Sequence, residues 1–204
     1  TLLLLVLWGS SCSQDTEAFG VSDKEPVLSI GFRLPTRSPE PGEGYEVGET
    51  YENYIDIENN NYRIYFFTSD NKLIARFEPD GFVVTQESDY RDYSMLGKAP
   101  AALAAHQNFK MVVLANWPQY GDDTIKAGET LLADICDAGW GQFDSFSSFE
   151  LGPERLIPFY GVREYNNIAF RSGEATLLPE PVTLLRAVAK TEVILKTDGH
   201  FDLS

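Results

Sequence analysis

"YRIYFFTSDNKLIARF", residues 62–77, decides the fold. Tyr62–Thr68 and Lys72–Phe77 are short apolar and aromatic runs, and Ser69, Asp70 and Asn71 separate them. Two such runs around a short polar turn predict a β-hairpin. The pattern continues on the C-terminal side. "EPDG" at 78–81 supplies an Asp-Gly turn into "FVVTQ", a strong hairpin signal. "FKMVVLAN", 109–116, is a continuous apolar run that predicts a central strand. On the N-terminal side, "PVLSIGFRL", Pro26–Leu34, puts Leu28, Ile30, Phe32 and Leu34 on one face with period two, the mark of a strand with one buried face.

Helix signals are sparse. "APAALAAHQ", 99–107, has helical composition, but Pro100 and its length restrict it to one or two turns. "TLLADICDA", 130–138, is the better helix: Thr130 can cap it, Gly139 can end it, and Leu131, Ile135 and Ala138 share a face. Residues 141–155 are aromatic and serine-rich without a period and predict a loop. "RLIPFYGV", 155–162, is broken by Pro158 and Gly161 and predicts an edge strand or turn. "PVTLLRAVAKTEVILKT", 181–197, predicts one long strand buried on the face of Leu185, Ala187, Ala189, Val193 and Leu195. With no internal repeat and no heptad pattern, this set predicts an all-β fold, a β-sandwich with one or two short helices.

Between the first strand and the hairpin lies "PTRSPEPGEGYEVGETYEN", residues 35–53. It carries Pro35, Pro39, Pro41, Gly42, Gly44 and Gly48, and after Arg37 no basic residue occurs until Arg63. That composition predicts a solvated loop, and structureless loops of this length are uncommon unless they have a function or are disordered.

The N-terminus concerns destination. Thr1–Leu7, TLLLLVL, reads as the tail of a signal-peptide apolar region, too short to span a bilayer. Gly9, Ser10 and Ser11 directly before Cys12 resemble a bacterial lipobox, although a lipobox more often has a larger aliphatic residue where Gly9 stands. A diacylglycerol on the Cys12 thiol is the expectation; the alternative is an ordinary signal peptide with an incidental cysteine. Residues 1–11 are then a signal-peptide remnant and 12–25 a polar, lipid-linked tether. The domain itself is 26–197, and 198–204 are expected to open a further C-terminal domain. The chain has two cysteines. With Cys12 lipidated, Cys136 has no intramolecular partner, and it is expected to be a small buried hydrophobe.

Charge excludes one class of partner. The chain has 31 acidic and 16 basic residues, a net charge of −15. Nucleic-acid binding needs a basic footprint, so no nucleic-acid partner is expected.

No catalytic constellation is present. The two histidines, His106 and His200, lie far apart in sequence and stand in no motif, and there is no nucleophile elbow, Cys-x-x-Cys pair or phosphate loop. Asp122-Asp123 does not follow a calcium-loop spacing and predicts a solvated acidic loop. The aromatics of "WGQFDSFSSF", 140–149, suit stacking on a sugar ring as well as a satellite cluster under a loop. The expectation is a protein that is not an enzyme and needs no metal or cofactor. A surface glycan-binding lipoprotein that uses Trp140 is the alternative of a different class.

Several segments occur in order: the lipobox-like N-terminus, "YENYIDI" leading into "YRIYFFTSDNKLI", "VVLAN" before a helix, "IPFYG", and "LLRAVAKTEVIL". Together they resemble the N-terminal domain of the fimbrillins of Bacteroidetes-type (type V) pili. The resemblance covers most of residues 26–197. Each segment alone is weak, and the ordered set is what carries it. It implies a transthyretin-like β-sandwich, the first of two domains in a structural and adhesive subunit of cell-surface fimbriae. Such subunits are exported as outer-membrane lipoproteins. An arginine-specific protease then cuts the loop after the first strand, and loss of that strand opens a groove for a strand of another subunit. On this sequence the removable strand is Val27–Leu34, with Val27, Leu28, Ile30, Phe32 and Leu34, and the cut follows Arg37. The alternative for Arg37 is an ordinary loop arginine. Leu185, Ala187, Ala189, Val193 and Leu195 are expected to line the groove. The implied partners are other fimbrial subunits, the protease, and the membrane through the lipid on Cys12. A non-polymerising anchor subunit, which keeps its lipid, shares much of this pattern.

Overall fold

The computed structural model describes residues 25–36, 53–87, 89–117, 124–137 and 156–187. Period-two alternation becomes real geometry at once in β1 (Val27–Pro35), where every even-numbered residue is buried and every odd one half-exposed. The hairpin signal yields β2 (Tyr62–Phe67) and β3 (Leu73–Phe77), antiparallel, with an irregularity between Phe66 and Phe67. The Asp-Gly turn leads into β4 (Gly81–Gln86), which pairs antiparallel with β5 (Tyr90–Lys98). One helical turn, α1 (Ala101–Ala104), precedes β6 (Phe109–Ala115), and α2 (Leu132–Asp137) follows. The remaining strands are β7 (Phe159–Tyr165), β8 (Ala175–Leu177), β9 (Val182–Thr183) and β10 (Leu185–Arg186).

Two sheets form. One runs β4-β5-β1-β8, with β9 also on β1; the other runs β10-β7-β6-β2-β3. The main core contains residues of both sheets: Leu28, Ile30, Phe32 and Leu34 with Tyr93 and Met95 from the first, and Ile64, Phe66, Phe109, Met111, Val113 and Phe159 from the second. Among the described residues this is a mostly-β sandwich with two short helices. A second cluster forms on the opposite face of β2 and β6, where Tyr65, Phe67, Leu73, Val112 and Leu114 pack with Ile135 of α2. The apolar run of β6 is continuous because the strand is covered on both faces.

Several expectations are corrected. Residues 181–187 are not one continuous strand. The chain leaves the first sheet after β9, passes through Leu184, and joins β7 of the second sheet as β10. The buried phase is also the other one: Val182 and Leu184 are in the core, while Leu185 is 55 % exposed. Arg186 hid this phase by standing in line with the core residues. It lies at the rim, where its guanidinium donates to the Pro35 carbonyl and to Asn53 Oδ1.

β7 is neither an edge strand nor a turn, since β6 and β10 flank it and Pro158 precedes it. Gly161 sits inside it because a Cβ there would lie 2.6 Å from Val182 Cγ1 and 2.7 Å from the Thr183 carbonyl oxygen. Thr130 does not cap α2 with its side chain, whose hydroxyl accepts from the Lys126 amide; the Asp134 carboxylate accepts from the Leu131 amide instead. Leu131 lies exposed rather than on a buried helix face.

Candidate functional site

The structure brings the expected first strand to the middle of a sheet. β1 is antiparallel to β5 over its whole length, from Val27↔Lys98 to Pro35↔Tyr90. On its other side it is parallel to β8 at Val27–Ser29 and to β9 at Phe32–Arg33. Its two sides divide the backbone bonds by residue parity. The Ser29 carbonyl accepts from the Leu178 amide at 3.0 Å, the Arg33 carbonyl from the Leu184 amide at 2.7 Å, and the Val27 amide donates to the Glu174 carbonyl at 3.3 Å. Odd-numbered residues thus face the C-terminal segments, and alternation assigns the even-numbered ones to β5.

The side chains divide in the same way. Leu28, Ile30, Phe32 and Leu34 are buried, and the Phe32 ring stacks on Tyr93 at 4.8 Å between centroids. Burying each such side chain stabilises by about 1.5–3 kcal/mol. Val27 stands among the half-exposed residues of the opposite face. There Gly31 meets the segment between β8 and β9: a Cβ would lie 3.4 Å from Pro181 Cβ. An isolated glycine in a strand often marks such a close approach.

Polar contacts hold both ends. Arg33 makes two hydrogen bonds to Asp92, at 2.6 and 2.7 Å, and its guanidinium lies 3.8 Å from the Tyr90 ring centroid. The bonds from Asp92 push the arginine pKa further up. At the C-terminal end, the Thr36 amide donates to the Asp89 carbonyl, and Arg186 bridges the Pro35 carbonyl and buried Asn53. At the N-terminal end, the Ala99 amide donates to the Pro26 carbonyl and Lys98 pairs with Glu25 at 2.5 Å.

The segment over Gly31 is itself fastened. The Tyr165 hydroxyl donates to the Glu180 carbonyl at 2.6 Å, and Arg163 donates to the Pro181 carbonyl at 2.9 Å while pairing with the Glu180 carboxylate. Burial pushes the Tyr165 phenol up to about 12.

Val27, Leu28, Ile30, Phe32 and Leu34 are therefore all on one strand, with the last four on its core face. Of the expected groove-lining set, Leu185 is exposed on β10 and Ala187 half-buried just after it. Ala189, Val193 and Leu195 lie outside the described residues, as do Cys12, Arg37, Asp122-Asp123, Trp140 and His200; the Cys136 side chain is likewise outside the description. The sequence pointed to no contact role for Arg33, Asp92, Tyr90, Asn53 or Arg186; Arg33 stood out only as a poorer cleavage site than Arg37, because Pro35 follows closely and its strand is paired. Arg33 and Asp92 are 59 residues apart and Pro35 and Arg186 are 151 apart, so no local spacing signals either pair. The isolated Gly31 was the one available local clue.

Among the described residues, no three or more His, Cys, Asp or Glu side chains gather where they would hold a metal ion, and no helix is long and apolar enough to cross a membrane. The chain matches no family model, no curated protein and no solved structure.

Proposed function

We propose that this chain is the N-terminal domain of a fimbrial subunit, a transthyretin-like sandwich whose first strand is a replaceable plug. The observation that supports this reading is the place of β1. It is the N-terminal strand of the described domain, yet it lies between β5 and the β8–β9 segment with four core side chains at alternate positions. Without it, the flanking strands would stand about 10 Å apart, two strand spacings. The gap would be lined with unpaired backbone groups and with pockets for alternate side chains. That is the receptor geometry for β-strand addition.

In this reading Cys12 carries the lipid that delivers the precursor to the outer membrane, and an arginine-specific protease cuts after Arg37 in the Pro/Gly-rich loop. Val27–Leu34 leaves and a strand from another subunit enters. The role is structural and adhesive rather than enzymatic. The test is arginine-specific proteolysis of the lipid-free full-length precursor, followed by intact-mass measurement and gel filtration. A new N-terminus at Ser38 and growth into oligomers are expected. A precursor cut elsewhere, or one that is cut after Arg37 and stays monomeric, would sink the polymerising role.

A further inference from the structure

Most strands at the edge of a sheet are blunted with charge, proline or a bulge, because their unpaired backbone groups invite another chain. β4 carries none of these. Its sequence, Gly81-Phe-Val-Val-Thr-Gln86, has no charged residue and no proline, and among the described residues only β5 pairs with it. Its pairing with β5 runs without a register break from Gly81↔Leu96 to Gln86↔Arg91. Phe82, Val83 and Val84 are 42, 64 and 41 % exposed.

Which backbone groups are open follows from the turn. The Glu87 amide donates to the Tyr90 carbonyl at 2.9 Å and so fixes the phase of the ladder; the Asp80 amide bonds the Leu96 carbonyl, which already faces Gly81, and lies outside the regular pairing just before the strand. Hydrogen-bonded pairs alternate in an antiparallel ladder, so Gly81, Val83 and Thr85 turn their N–H and C=O to β5. Phe82, Val84 and Gln86 turn theirs outward. Phe82 and Val84 pair with Met95 and Tyr93, which are buried in the core. Their side chains therefore lie on the core side of the sheet and remain part-exposed at its open edge. A strand added there would satisfy the backbone of three residues and cover two apolar side chains in one step.

The ends of β4 select the occupant. Exposed Asp80 stands directly before the strand and exposed Glu87 directly after it. A second copy of β4 fits badly: antiparallel pairing centred on Val84 brings Asp80 of one copy next to the position facing its partner's Glu87, so like charges meet at both ends. An incoming segment with a basic residue at each end reverses that interaction, and the net charge of −15 favours its approach.

We infer that the outer edge of β4 is a docking site for an extended protein segment with small apolar side chains at alternate positions and a lysine or arginine at each end. This site is separate from the β1 groove. Among the described residues nothing but β5 pairs with it, and it is independent of the fimbrial reading.

The experiment uses the full uncut chain and two fluorescent octapeptides, acetyl-KVTVTVTK-amide and its glutamate-ended counterpart acetyl-EVTVTVTE-amide. Binding is read by anisotropy, and the site by amide hydrogen exchange. The lysine-ended peptide is expected to bind saturably and to slow exchange at Phe82, Val84 and Gln86 but not on β1. Its affinity is expected to exceed that of the glutamate-ended peptide by about tenfold and to fall as sodium chloride is raised from about 50 to about 500 mM.

Val84→Pro removes an outward amide while leaving the β4–β5 ladder its donors, and is expected to weaken binding at least about fivefold. Val83→Lys changes only an exposed side chain and supplies a second variant should the proline unfold the hairpin. It is expected to weaken the lysine-ended peptide and to favour the glutamate-ended one. Equal affinity for both peptides, no binding, protection mapped elsewhere, or no effect of either variant overturns the proposal. So does a peptide-free dimer that Val84→Pro abolishes, because the edge would then belong to a second copy.

Discussion

Replacing Phe32 with alanine asks whether β1 is held by its side chains or by its backbone. Phe32 is fully buried and stacked on Tyr93 at 4.8 Å. Deleting a buried phenyl costs about 3–5 kcal/mol, of which the stacked geometry supplies about 0.5–1.5 kcal/mol. Ser29→Ala, on the half-exposed face of the same strand, is expected to cost less than about 0.5 kcal/mol. In the intact chain, urea unfolding should show these two losses. A domain with about 5–15 kcal/mol of stability survives the first with a narrow margin.

In a chain cut after Arg37 the same energy should appear as faster loss of β1. A cost of 3–5 kcal/mol corresponds to roughly a hundred- to several-thousand-fold, at about 1.4 kcal/mol per factor of ten. The assay mixes the cut protein with an excess of fluorescent peptide covering residues 26–35 and follows its uptake. Two results would refute the reasoning. One is immediate release of the strand by the cut wild-type protein, which would mean that the pockets hold nothing. The other is exchange of Phe32→Ala no faster than Ser29→Ala, which would mean that the ladder alone holds the strand.

Three further outcomes follow from single contacts. Gly161→Ala would force a methyl against Val182 and the Thr183 carbonyl. It should cost about 1–3 kcal/mol and lower Tm by about 2–12 °C in calorimetry. Asn116 holds φ at 51°, donates to the Tyr54 and Ile157 carbonyls at 2.7 and 3.0 Å, and accepts from the Asp56 amide. Asn116→Ala should therefore cost about 2–4 kcal/mol, and Asn116→Gly about 1 kcal/mol less because glycine accepts the left-handed backbone; equal losses in urea titrations would rule out the backbone contribution. The Tyr165 phenol ionises near pH 10 when unfolded and near 12 when folded. Folding therefore keeps the proton: its stabilisation is complete below pH 10 and is lost as pH rises towards 12, by about 1–2 kcal/mol after solvent screening. A Tyr165→Phe chain should show a smaller loss across that window in urea titrations.

The strands that were legible in the sequence are those whose environment is uniform along their length. β1 alternates cleanly because one face meets the core throughout, and β6 is continuously apolar because both its faces are covered. β5 went unread for the opposite reason. Tyr93 and Met95 point into the core, but Arg91 and Asp92 occupy the end that binds Asn53 and Arg33, and Gly97 faces the close approach of Pro79. Its apolar signal covers too few residues to show a period. The break at Leu184 was hidden because a strand that changes sheets keeps its alternation while changing its neighbours. Likewise, the parallel contact of β1 with β8 and β9 has no local signature: it joins the two ends of the described domain.

That long-range contact also determines what can occupy the β1 site. β4–β5 and β2–β3 are local hairpins, but the site is incomplete until β5 and the 174–184 segment come together. Such late, non-local pairing is slow to form because loop closure is paid before the contacts reward it. The place of β1 is shaped largely by residues distant in sequence, and under the proposed strand exchange a donor from another subunit would have to meet the same demands. The requirements are side-chain ones. Four apolar groups must fall at the positions of Leu28, Ile30, Phe32 and Leu34. A small residue must stand at the place of Gly31, where Pro181 leaves room for little beyond a methyl group. A cationic side chain beside Asp92 and Tyr90, as Arg33 has, would keep the outer face joined. A candidate donor strand can be judged on these three conditions, and the small residue opposite Pro181 is the most selective, because almost any β-strand supplies alternating apolar groups.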